Sequence, residues 1–261
     1  MSDLYDAKQS TRVDPALIRL LEECAFNAWP ARQTVFFDGW LLRLSAGYTK
    51  RANSANAWCP AASMAGVIEA AEAFYARHAL PSIFRLSPLA GDEADAALAA
   101  AGYRQIDPTL VMTARLTHDT RSDDAVKLQP EADAAWCAGF ARANAIAPAM
   151  RATHDEMLAA IAMPKAFAAL WQDGAPIAYG LAVAERGWVG LFDILVVPEA
   201  RGRGVGRRIT AALLDWGRRQ GATRAYLQVV AANTPAVALY GQFGFRQAYG
   251  YHYRVRTTHG A

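Results

Sequence analysis

The sequence predicts a mixed α/β fold, α+β in class, with helices flanking a central, mostly antiparallel sheet and the chain divided into two lobes. Three observations carry this. The chain has 261 residues, 53% of them hydrophobic and 20% charged, enough apolar side chains for one large core or two of ordinary size. Strand-like and helix-like periodicities alternate along its whole length, and Asp38-Gly39, Asp173-Gly174 and Arg186-Gly187 lie between β-forming runs where hairpin turns belong. The polar, turn-forming stretch THDTRSDDA, residues 117–125, separates two strand-like segments and reads as a linker, which places the lobes at 1–118 and 124–261.

Taken in order, Asp14 and Pro15 supply a cap and first turn for a helix carrying Leu17, Leu20, Leu21 and Cys24. TVFFDGWLLRL then reads as a hairpin. A helix near 63–78, a strand at 82–86, a helix at 91–100 and strand structure through 103–116 complete the first lobe. The polar segment 39–58 holds Arg43, Tyr48, Lys50, Arg51, Asn53, Ser54 and Asn56; it reads either as a solvated hairpin or as the border of a substrate cleft between lobes, with Arg51 and Asn53 as substrate-binding candidates.

The second lobe starts with a strand near 125–128 and helices near 131–143 and 153–162. Strands at 166–171, 176–184 and 188–197 follow. A helix at about 204–220 places Val205, Ile209, Leu213 and Trp216 on one face and ends at Gly221. A strand at 224–230, a helix at 234–242 and a strand through 245–256 close the chain. Tyr249, Tyr251 and Tyr253 alternate as packing residues of a strand do, and Trp171, Trp188 and Trp216 read as core or interface material.

Composition narrows the function. Cys24, Cys59 and Cys137 are far apart, with no Cys-x-x-Cys and no histidine at ligand spacing, so neither disulfides nor a metal site are expected. The first ten residues carry two aspartates where a signal peptide needs an apolar core, and no apolar run is long enough to cross a bilayer; a cytoplasmic protein without membrane partners is expected. The net charge of +3 is too mild to indicate nucleic acid, and a monomer or homodimer is expected. Locally the balance differs: between Glu199 and Arg224, seven arginines face only Glu199 and Asp215.

That charge surrounds the stretch VVPEARGRGVGRRI, residues 196–209, which joins a strand to a helix. A helix start presents unpaired N–H groups and the positive end of the helix dipole, and glycines at 202, 204 and 206 let main chain approach an anion, phosphate being the natural occupant. A P-loop needs Lys and Ser or Thr after its last glycine, but Arg207 and Arg208 stand there; a dinucleotide turn needs a parallel βαβ unit, but hairpins precede this one.

The pattern at Arg201, Gly204 and Gly206, preceded by Val196, Val197 and Pro198, resembles the acetyl-coenzyme A loop of the GNAT superfamily of acyltransferases. A second segment, ANTPAVALYGQFGF at 232–245, is similar to the family's N-x-x-A-x-x-L-Y-x-x-x-G-F, with matches at Asn233, Ala236, Leu239, Tyr240, Gly244 and Phe245, and the element order from 125 to 256 follows the family. The resemblance implies the GNAT acyl-CoA N-acyltransferase fold, whose sheet splays at a bulge between the strand ending near Val196 and that at 224–230. It further implies acetyl-CoA as cosubstrate, held by Ile194, Leu195, Val196, Arg201, Gly202, Arg203, Gly204, Val205, Gly206, Arg207, Asn233 and Tyr240, with the pyrophosphate on amides of residues 202–207 and a primary amine as acceptor.

Tyr240 matches the family's general acid. Members that acetylate protein N-termini carry a glutamate five residues before the asparagine, where this chain has Gln228, which cannot take a proton. Asp193 in GLFDILVVP is the nearest carboxylate and matches one acid of the polyamine-acetylating L-E-D-x-x-V; it reads as base, substrate ligand or hydrogen-bonded structural group, with a water chain as the alternative base. His154 and His252 are weaker candidates. The closing helix and strand of the first lobe echo those of the second without the glycine loop, so that lobe is expected to be a degenerate GNAT-like partner, the chain a tandem member of the superfamily. A non-catalytic acyl-CoA sensor is the competing function, and arginine-driven nucleic-acid binding a third.

Overall fold

A computed structural model describes residues 13–60, 62–116 and 123–256. Most of the 117–125 linker lies outside the described residues. The first half contains α1 (Pro15–Ala28), β1 (Gln33–Phe37), β2 (Trp40–Leu44), β3 (Ala55–Ala57), α2 (Val67–Ala76), β4 (Ser82–Leu86), α3 (Gly91–Ala100) and β5 (Arg104–Arg115). The second contains β6 (Val126–Gln129), α4 (Ala134–Ala143), α5 (Pro148–Ala159), β7 (Lys165–Gln172), β8 (Ala175–Glu185), β9 (Trp188–Val196), α6 (Val205–Arg219), β10 (Arg224–Val230), α7 (Thr234–Gln242) and β11 (Arg246–Arg256).

Local chemistry explains most boundaries. The Asp14 carboxylate accepts from the Ala16 N–H and Pro15 opens α1, as expected. All three anticipated hairpins close on two residues with positive φ: 40° and 82° at Asp38-Gly39, 51° and 77° at Asp173-Gly174, 49° and 77° at Arg186-Gly187. α5 begins five residues before its expected start, because Pro148 occupies its first turn.

The strands form one sheet in the order β1-β2-β3-β4-β11-β5-β10-β9-β8-β7-β6, antiparallel except at β3/β4 and β9/β10. The two expected lobes share this one sheet. β5, from the first half, pairs with β10, whereas β11, at the end of the chain, pairs with β4; the two closing strands are exchanged across the boundary and pair with each other. Periodicity identifies a strand but not its neighbour, since every strand offers the same N–H and C=O groups on both edges.

Side chains alternate across the sheet. Trp188 and Phe192 of β9 join the cluster built with α1 to α5, whereas Val189 and Leu191 join the one built with α6 and α7. Val205, Ile209 and Leu213 of α6 are buried as expected, Trp216 is half-buried, and Trp171 is 39% exposed under the Lys127 ammonium instead of in a core. Where α6 crosses β9, a Cβ on Gly217 would come within 2.6 Å of the Val189 side chain. Gly217→Ala is therefore expected to destabilise by about 1–3 kcal/mol despite the better helix propensity of alanine, read as a lower midpoint in urea unfolding.

Candidate functional site

β9 and β10 are in parallel register only from Trp188 opposite Arg224 to Leu191 opposite Leu227. Beyond that point β9 stays on β8 and β10 stays on β5, so a gap opens between them. The bulge that bends β9 lies in its pairing with β8: Leu181 faces Phe192 and Tyr179 faces Leu195, leaving Gly180 opposite both Asp193 and Ile194. Asp193 is the extra residue, at φ 49°, a left-handed conformation that aspartate tolerates better than most side chains. The bulge thus frees the inner edge of β9 at Ile194, Leu195 and Val196 and presents Asp193 to the gap.

Two connected cavities occupy this gap, sharing Ile194, Asn233, Ala236 and Tyr240. The outer one, about 670 Å3, runs along Ile194 to Val196, the glycine turn and the face of α7 that carries Leu239 and Tyr240. The N–H groups of Gly202, Arg203, Gly204, Val205 and Gly206 have no protein acceptor among the described residues, and α6 points its N-terminus at this groove. Arg207, expected to contribute an amide, instead donates its N–H to the Gly204 carbonyl at 3.1 Å, so the free row is 202–206. Glycine is required at 202 and 204 by φ of 73° and 76°; a Cβ there would meet nothing.

The arginines divide. Arg201 ties the loop to β9 by donating Nε–H to the Val196 carbonyl at 3.1 Å, Arg203 reaches Gln172 at 3.5 Å outside the groove, and Arg201 and Arg207 line it. Arg208 is paired with Asp123, and Arg218 and Arg219 with Asp215. Asn233 caps α7, accepting from the Ala236 N–H at 3.2 Å, and lines both cavities.

The inner cavity, about 490 Å3, is closed by both halves of the chain: Thr49, Lys50 and Arg51 from the first, Phe192, Asp193, Gln228 and Tyr240 from the second, with Tyr251 and Tyr253 of β11. Tyr240 is buried, and burial pushes its hydroxyl up to about 12, so it carries its proton at neutral pH. Asp193 is open to the cavity in part, but its Oδ2 is buried without a partner among the described residues. Burial raises its carboxyl above the ordinary carboxylate range, against the opposing charges of Arg51 and His154.

His154, a weaker candidate from sequence, lines neither cavity. It is fully buried, stacks on Phe140 at 5.3 Å, meets Tyr48 edge-on at 5.6 Å, and keeps Nε2 unpaired while Nδ1 contacts Asp155 Oδ1 at 2.7 Å. The residues Tyr251 and Gln228 were missed as a pair: the tyrosine hydroxyl donates to Gln228 Oε1 at 2.9 Å in the cavity wall. No local spacing links residues 23 positions apart in different strands.

The segment 39–58 is not a solvated hairpin. Arg43, Asn53, Ser54 and Asn56 are all buried, and the chain adds β3 there. Asn53 does not line the cavity: its Oδ1 accepts from the Ser45 and Gly47 N–H groups and its Nδ2 donates to the Tyr48 and Thr49 carbonyls, all within 2.9 Å. Every site on the Asn53 amide that the loop can use is occupied, so it shapes the loop that presents Arg51. Among the described residues no helix is long and apolar enough to cross a membrane, and no group of three or more His, Cys, Asp or Glu is placed to hold a metal.

Comparison with known proteins shows the family and the fold. The family model described as "Probable histone acetyltransferase Rv0428c C-terminal" matches residues 15–256. The uncharacterized N-acetyltransferase YobR of Bacillus subtilis is 32% identical over 245 residues, covering 92% of this chain and 98% of YobR. A probable histone acetyltransferase of Mycobacterium tuberculosis is 30% identical over 251 residues, 90% of this chain and 72% of that protein. A solved GCN5-related N-acetyltransferase from Kribbella flavida superposes over 93% of this chain and 96% of its own, with a TM-score of 0.68 at 16% identity.

Proposed function

The chain belongs to the GNAT family of N-acetyltransferases, and from that premise we propose that it moves an acetyl group from acetyl-CoA to a primary amine by direct attack of the amine on the thioester. One observation supports this reading above the others: the row of unpaired N–H groups at 202–206 opens into the same gap whose walls hold Tyr240 and Asp193.

The groove fits the cosubstrate. Main-chain N–H groups and a helix N-terminus suit a diphosphate, Arg201 and Arg207 add charge at its rim, and the free edge of β9 at Ile194 to Val196 offers hydrogen bonds to an extended pantetheine. When bound, acetyl-CoA supplies the activated acetyl group. N–H groups on the open edge of β9 would favour the negative charge that develops on the thioester oxygen. Asp193 takes the proton of the attacking amine, because it is the carboxylate that the bulge aims into the gap. Tyr240, protonated at neutral pH, gives its proton to the departing thiolate. The first half, in this reading a degenerate GNAT-like lobe without a glycine loop, contributes the far wall of the acceptor cavity.

The test is free-thiol release from acetyl-CoA against a panel of amines, with CoA calorimetry on the same preparation. Tyr240→Phe is expected to lower kcat by about 100-fold while CoA affinity stays within about threefold. Undiminished turnover in that variant removes Tyr240 from the acid role; a preparation that takes up no CoA at all removes the whole reading.

A further inference from the structure

The inner cavity says which amines fit. We infer that the acceptor is a small amino acid, an amine that carries its own carboxylate, with the carboxylate received by Arg51; this rests on the cofactor groove and Asp193 acting as proposed above. Arg51 lies on two aromatic faces, its guanidinium 4.7 Å from the Trp29 ring centroid and 5.9 Å from that of Phe192. Stacking of this kind holds a guanidinium flat and leaves its N–H edge available. Among the described residues that edge has neither a carboxylate in ion-pair range nor a hydrogen-bond acceptor. Its neighbour Lys50 is already paired with Asp107 at 3.0 Å.

The surroundings of Arg51 strengthen the demand for an anion. Behind it, Arg43 and Arg85 converge with it around a small void beside Gln228. Arg43 is buried with only carbonyl partners, the backbone oxygens of Phe26, Trp29 and Arg51, and no acid. Burial and repulsion from Arg85 and Arg51 pull it down to about 9. Arg85 is matched by Glu22, which also accepts from the Tyr249 hydroxyl at 2.7 Å. Of the three guanidinium groups Arg85 alone is ion-paired among the described residues, to Glu22, and Asp193 lines the same cavity as Arg51. A zwitterionic amino acid presents the complementary pair: a carboxylate for the Arg51 edge and an amine directed to Asp193. The diphosphate of the cosubstrate does not explain Arg51, because the 202–206 row lines the outer cavity and Arg51 the inner one.

The experiment measures kcat/KM for free amino acids beside their own amides and decarboxylated amines, a phosphate-bearing amine and a lysine-rich peptide, all with acetyl-CoA. At least one amino acid is expected to exceed its amide by 10-fold or more. Arg51→Gln is expected to raise the amino-acid KM and reduce that preference to about threefold or less, with Arg51→Lys falling between. CoA calorimetry on each protein separates the two levels. Retained CoA binding with amides, peptide or the phosphate-bearing amine used as well as amino acids, or with no amino acid acetylated, overturns the inference and leaves the cofactor site standing; loss of CoA binding in the wild type overturns both. The wild-type comparison decides the matter even if an Arg51 variant fails to fold.

Discussion

Asp193→Asn is expected to reduce kcat/KM by 10²-fold or more, with CoA affinity unchanged, and to abolish the acid limb of the pH profile. The sign follows from burial. The wild-type carboxyl titrates above the ordinary carboxylate range, and only its deprotonated form can take a proton from the amine, so activity falls as pH drops through that raised value. Asparagine cannot titrate, yet it is nearly isosteric and tolerates the φ of 49° at the bulge, so the backbone stays as it is. Turnover that survives the substitution assigns the base to a water chain.

The same variant is expected to be more stable than wild type at neutral pH. A folded-state pKa above the unfolded one makes a contribution that is fully present below about pH 4 and is lost as pH rises through the folded value. Wild type therefore carries the cost of a buried, unpartnered carboxylate at pH 7, and the asparagine variant does not. Its Tm gain should be about 2–4 °C at pH 7 and vanish near pH 4. A loss of activity joined to a gain in stability separates a functional carboxylate from a structural one, whose removal lowers both.

Gly206→Glu is expected to weaken CoA binding by at least about 100-fold without loss of fold. Position 206 is in the first turn of α6, at the end of the free N–H row, and a Cβ there meets side-chain methyls alone, of Leu239 at 3.2 Å and Val196 at 3.7 Å. An acid at a helix N-terminus stabilises the helix by about 0.3–1 kcal/mol. The same charge repels a diphosphate: at 4 Å and an effective dielectric constant near 20 the repulsion is about 4 kcal/mol, more than a 100-fold change requires. Calorimetry with CoA and a melting curve on the same sample check both halves. Affinity within threefold of wild type would mean that the diphosphate is bound elsewhere.

How much of this was legible beforehand differs from residue to residue. Gly202, Gly204, Asn233 and Tyr240 sit within short segments whose spacing carries their geometry, so the turn into α6 and the capped α7 could be read from sequence. The hairpin at Asp38-Gly39 and the α1 cap were legible for the same reason, because the interactions that form them span two to four residues. Asn53 was misjudged because a polar residue reads the same whether it meets solvent, substrate or its own loop; only the four bonds to residues 45–49 distinguish these.

Sequence by itself determined the alternation of strands and helices, the anion-ready turn and the resemblance that names the chemistry, because each is encoded within a few turns of chain. Tertiary structure alone decided that β5 and β11 change places, that a bulge at Asp193 opens β9, and that Arg51 from one half meets Asp193 from the other across a single cavity. The exchange of strands and the meeting of Arg51 with Asp193 depend on which strand edges find each other over separations of a hundred residues or more, and main-chain edges carry the same donors and acceptors whatever the side chain; the bulge lies within the β8/β9 hairpin, where periodicity does not mark the extra residue.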